Sequence, residues 1–132
     1  KDEAKKILIQ ARDKINSLKN EGKMGYREED FGKAILNLRK AILSYFIKTN
    51  RYPLTLDELI PEFIDSIAEI NIHGEYGSRI KYIRNSKYDR KYEQAVDDTT
   101  EYIYFSDPQS IYWGLAIINS KNESDAAPLY KR

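Results

Sequence analysis

Three carboxylates stand close together before an apolar stretch, at Asp97, Asp98 and Glu101. Calcium takes several oxygen ligands from a flexible loop, and these acids supply that ligand type. Their Asp-Asp-x-x-Glu spacing does not match an EF-hand loop, and a solvated acidic turn is the plainer expectation. A second group is cationic: Arg79, Lys81, Arg84, Lys87, Arg90 and Lys91 lie against Asp89 alone, interleaved with Tyr82, Tyr88 and Tyr92. Cations with interleaved aromatic rings suit single-stranded nucleic acid, through phosphate contacts and base stacking. The same pattern also describes a solvated strand whose charges discourage edge-to-edge pairing. The sole histidine, His73, sits between Ile72 and Gly74, where a solvated turn is expected. General acid–base work needs a partner within hydrogen-bond reach, and none is evident from the sequence.

Composition narrows the chemistry further. The chain has 132 residues and no cysteine, which excludes disulfides, thiolate metal sites and cysteine nucleophiles. Lys and Arg total 22 against 21 Asp and Glu, a net charge of +1. Such a balance gives no overall pull toward nucleic acid, so no nucleic-acid partner is expected. No Gly-rich phosphate loop or nucleophile elbow is present, and no catalytic residue or cofactor is expected. Calcium at Asp97, Asp98 and Glu101 would be the exception. Eleven tyrosines fit half-covered sheet faces and interfaces, with the ring packed and the hydroxyl wet.

The elements that must position these groups follow from periodicity. Ile7, Leu8, Ala11, Ile15 and Leu18 recur at helical spacing over residues 1–20. Gly22 and Gly25 interrupt that pattern. Helical spacing resumes at Phe31, Ile35, Leu38, Ile42, Tyr45 and Phe46, with acids at Glu28, Glu29 and Asp30 suited to the positive end of the dipole. Leu36, Leu43 and Ile47 widen this second stripe, so the helix is expected to be covered on much of its circumference. It should stop near Thr49-Asn50, since Asn tolerates a left-handed cap and Tyr52 precedes Pro53. Thr55 and Glu58 form a capping-box pattern for a short helix.

Beyond residue 70 the period approaches two. Strands are expected around Ile70–Ile72, at 79–84, at Tyr102–Phe105 and at Ile111–Ile118, the last apolar enough to be covered on both faces. Residues 73–77 read as a turn and 85–100 as a polar loop. The strands at 102–105 and 111–118 are expected to pair as an antiparallel hairpin. The expected fold is therefore α+β in one domain: a helical stem over 1–27 and a globular part over 28–132. The sheet would have three or four antiparallel strands.

The stretch Ala41 to Leu59, with its Asn50-Arg51-Tyr52-Pro53 corner and Leu-x-x-Leu segment, resembles the end of the long helix in type IV pilin-like proteins, including the pseudopilins of type II secretion. The likeness extends over about residues 28–119 in the order of its elements. It implies a long N-terminal helix leading into a small sheet, and a non-enzymatic subunit of a pilus or pseudopilus fibre. The partners would be copies of itself and related pilin-like subunits, with Ile7, Ala11, Ile15 and Leu18 as assembly interface. It implies an apolar segment before Lys1 that anchors the protein in the inner membrane, and a periplasmic or cell-surface location. Asn stands where Gly is commoner at the corner, and the Gly22–Gly25 interruption departs from an unbroken helix. Some pseudopilins of this family hold calcium in a sheet loop, and some pilin-like fibres bind DNA. An extracytoplasmic binding module using the tyrosine-rich sheet face, or a DNA-binding minor pilin, are the alternatives.

Overall fold

A computed structural model describes residues 26–121, 123–124 and 127–131. Of the stem expected over residues 1–27, residues 1–25, with Ile7, Ala11, Ile15 and Leu18, lie outside the described residues. At its near end the chain is extended. Arg27 bridges Glu69, and the Glu28 N–H donates to the Glu69 carbonyl at 2.9 Å.

Helix α1 spans Phe31–Thr49, as its periodicity predicts. The Asp30 side chain caps it by accepting from the Gly32 and Lys33 N–H groups. Asn50 ends it in the left-handed region at φ 63°, its N–H returning to the Phe46 carbonyl. A single 3-10 turn, Leu56–Leu59, follows the Tyr52-Pro53 corner. Glu58 accepts from the N–H groups of Leu54 and Thr55, the return half of the expected capping box.

The strands are β1 Ile70–Asn71, β2 Tyr76–Gly77, β3 Ile80–Ile83, β4 Tyr102–Phe105, β5 Ala116–Ile118, β6 Glu123–Ser124 and β7 Ala127–Pro128. Among the described residues β1 with β2 and β6 with β7 make small antiparallel pairs, and β3-β4-β5 form the main sheet. The β4–β5 pair is antiparallel, as expected, with Ile103 opposite Ile117. The β3–β4 pair is parallel, with Ile80 opposite Tyr102, which corrects the expectation of a wholly antiparallel sheet. A parallel pair needs a long crossover, and residues 84–101 supply it. That stretch is not all loop, because Tyr92–Ala95 form a second 3-10 turn. The last strand is also shorter than expected: Ile111–Gly114 form a turn that ends at Gly114, φ 96°.

Side-chain alternation makes the sheet the middle of three layers. Tyr102, Tyr104, Ala116 and Ile118 face α1 and pack with Ala34, Ile35, Leu38, Ala41, Ile42 and Tyr45. Ile80 and Tyr82 join this face, as their spacing predicts. Ile103, Phe105 and Ile117 point the other way, onto Ala95 and Val96 of the crossover. The main sheet is thus covered on both faces, which explains why β4 and β5 read as continuous apolar runs.

Candidate functional site

The carboxylates before β4 are each engaged within the domain. Glu101 is fully buried and accepts from the Arg79 N–H at 2.8 Å, from its Nε at 3.1 Å and from its Nη2 at 2.8 Å. Burial by itself would raise its pKa, but the Arg79 bonds outweigh that and hold it below the usual carboxylate range. Asp97 accepts from Lys81 Nζ at 2.7 Å, from the Thr99 hydroxyl at 2.7 Å and from Asn119 Nδ2 at 2.9 Å. Partial burial opposes its ionisation, and those donors prevail, so its pKa is also lowered. Asp98 sits at φ 61° and accepts from the Lys121 N–H. Among the described residues no three His, Cys, Asp or Glu side chains converge as a metal group.

The basic tract is likewise partly consumed. Arg79 and Lys81 are paired as above, and Lys81 also donates to the Ala95 carbonyl at 2.9 Å. Arg84 lies 4.7 Å from the Tyr82 ring centre, and Lys87 lies 5.4 Å from that of Tyr88. Arg90 and Lys91 are exposed, Arg90 at φ 68°. His73 is half-buried, not solvated as expected, and its Nε2 lies 2.9 Å from the Thr100 carbonyl. A carbonyl can only accept, so Nε2 carries the proton.

Two further surfaces stand out among the described residues. The first is the outer side of α1. Leu36, Leu43 and Ile47 are 51%, 55% and 73% exposed, so the domain does not cover the helix as widely as expected. At about 100° per residue, Leu43 and Ile47 fall about 20° either side of Leu36. Tyr45, packed into the core, lies diametrically opposite. The sheet can reach only one side of a helix, and the widened stripe forms a second apolar line on the other.

The second surface is a shallow cup of about 620 Å³ beside the turn before β5. Trp113, expected in a strand, sits here, with its Nε1 donating to the Pro53 carbonyl at 3.3 Å. Its ring lies edge-on to Tyr52 at 5.8 Å, and Tyr92 packs edge-on to Tyr112 at 5.5 Å and Tyr130 at 6.3 Å. Tyr52 lies against the backbone of Gly114, where an added Cβ would come within 2.5 Å of the ring. Arg39 reaches the cup from α1 and donates through Nε to the Ala116 carbonyl at 3.0 Å. Burial lowers its pKa, and among the described residues it has no carboxylate partner. Sequence reading missed this cup because its residues come from five separate segments. Only the density of tyrosine hinted at it.

No protein-family model matches the chain, and neither does any curated protein or solved structure. Among the described residues no helix is long and apolar enough to cross a membrane.

Proposed function

We propose that the chain is a structural subunit of a pilus- or pseudopilus-like fibre, assembled outside the cytoplasm from copies of itself and related subunits. The observation that carries this reading is the two-sided helix α1. One face holds the sheet, and the opposite line of Leu36, Leu43 and Ile47 is free to meet a neighbour. The Tyr-Pro corner, the short capped turn and the sheet that follows stand in the order that the pilin-like resemblance implies.

Magnitudes define what the stripe can do. Fully burying a Leu or Ile side chain contributes about 1.5–3 kcal/mol, and these three are already partly covered. At their present exposure roughly 3–5 kcal/mol remains to be gained from the stripe, only the low end of the cost of about 4–15 kcal/mol for holding two molecules together. Assembly therefore requires further burial, which the family's apolar segment before Lys1 and the Ile7–Leu18 stripe would supply. The stripe on α1 then sets the register between copies.

These 132 residues contain no cysteine, so an introduced thiol is the only one among them. Leu36→Cys and Ile47→Cys, introduced into the natural full-length protein in its own cells, should cross-link sister copies through a short bismaleimide. Lys121→Cys, exposed beyond the far end of β5, should not. Equal cross-linking at all three positions, or none at Leu36 and Ile47, would overturn the reading.

A further inference from the structure

We infer that the aromatic cup is a binding site for an acidic sugar, a pyranose ring that carries a carboxylate. Fibre assembly through α1 does not depend on this site, nor the site on assembly.

The ligand class follows from what lines the cup. The half-buried guanidinium of Arg39 spends Nε on the Ala116 carbonyl, and its remaining N–H donors have no acceptor among the described residues. A planar fork of donors in a partly dry wall selects a carboxylate over a neutral group. Lys131 adds a second positive charge at the rim, and among the described residues no acid lines the cup. Around the cation stand ring faces and edges, and among the described residues the hydroxyls of Tyr92, Tyr112 and Tyr130 make no hydrogen bond. A sugar ring presents an apolar C–H face bordered by hydroxyls, which complements tyrosine in both respects.

An acidic peptide would bring the same carboxylate but no sugar C–H face for the rings. Extended peptides bind by adding to a free strand edge. The backbone N–H groups of Trp113, Gly114 and Leu115 are all used internally, by the carbonyls of Ser110, Phe105 and Tyr112. On the outer edge of β5 beside them, the Ala116 carbonyl is taken by Arg39 Nε at 3.0 Å.

Trp113 is the only tryptophan, so its fluorescence reports on the cup alone. The full chain is titrated with a trimer of galacturonate, the neutral galactose trimer and hexaglutamate. The uronate should give a saturable change, with the neutral trimer at least roughly tenfold weaker, in line with one charge-assisted bond. Arg39→Gln should abolish the preference for uronate over the neutral sugar. Because Arg39 also ties α1 to β5, Tyr130→Ala is the second variant, and with its far-ultraviolet dichroism confirming the fold it should weaken both sugars. No saturation by about 10 mM uronate, a Kd too weak for a specific site, would overturn the assignment. So would equal binding of the neutral trimer, hexaglutamate binding more tightly than uronate, or a folded Arg39→Gln protein that keeps its preference.

Discussion

Replacing Glu101 by Gln removes a buried charge while keeping its shape, and the cost can be worked from the geometry. Three Arg79 donors converge on the carboxylate, two on Oε1 and one on Oε2. A glutamine carbonyl can keep the first two bonds. Its amide nitrogen then faces Arg79 Nη2, donor against donor. Losing charge assistance forfeits about 1 kcal/mol per retained bond, and leaving the third pair unmet costs about 1–3 kcal/mol. The Arg79 side chain is 58% exposed, so water screens its end of the pair and the total falls toward the lower end, about 3 kcal/mol. At a typical slope for a domain this size, the urea midpoint should drop by about 2 M. Trp113 fluorescence and far-ultraviolet dichroism measure it. The pH dependence gives an independent check. A carboxylate depressed in the folded state adds stability above its unfolded value of about 4.3, and that stability is lost as pH falls through the folded value. Glu101 is such a group, and Gln does not titrate. The gap between wild type and variant should therefore be flat from about pH 8 to pH 5 and close below about pH 4. A gap under about 1 kcal/mol at pH 7, the size of an ordinary neutral hydrogen bond, would refute the reasoning. A gap that does not narrow at pH 3 would refute it too.

Other substitutions probe other parts. Leu43→Glu should leave urea stability within about 0.5 kcal/mol, as for an exposed site, yet on the proposed assembly through α1 it should abolish any fibres seen by electron microscopy. Gly114→Ala should destabilise by about 2 kcal/mol, because φ 96° disfavours any Cβ and the Tyr52 ring must move. It should also shift the Trp113 emission maximum. Asp30→Ala removes the acceptor for two helix N–H groups and should cost about 1 kcal/mol by thermal melting.

Helix α1 was legible because independent signals agreed on it. Its apolar stripe, the acids before Phe31, the tolerant Asn50 and the Tyr52-Pro53 corner all mark one segment with the same ends. The antiparallel β4–β5 pair was legible for a similar reason, two apolar runs separated by Asp107-Pro108. The parallel pairing of β3 with β4 was not. Strand direction is set by how the crossover packs, and residues 84–101 contribute only Ala95 and Val96 to the buried core there. The length of the last strand misled because Ile111–Gly114 is as apolar as a strand while forming a turn under the cup. Glu101 read as a solvated acid because its partner lies 22 residues away at Arg79. A clue was present in Gly77, whose missing side chain leaves room for that carboxylate: a Cβ there would sit 2.7 Å from Oε1. Residues such as Arg39 and Tyr92 acquire meaning only when distant segments meet, and no spacing rule links them.

The inner wall of α1 is closed chiefly by β5, which arrives some 70 residues after the helix ends. A growing chain therefore carries a helix that is oily on both flanks until Ile118 has emerged. Such an intermediate is amphiphilic in the wrong sense, sticky toward itself, and must be shielded or kept unfolded until synthesis is nearly complete. Truncations that stop short of Ala116 should then be recovered as aggregates or degraded fragments, even though they retain every residue of the helix.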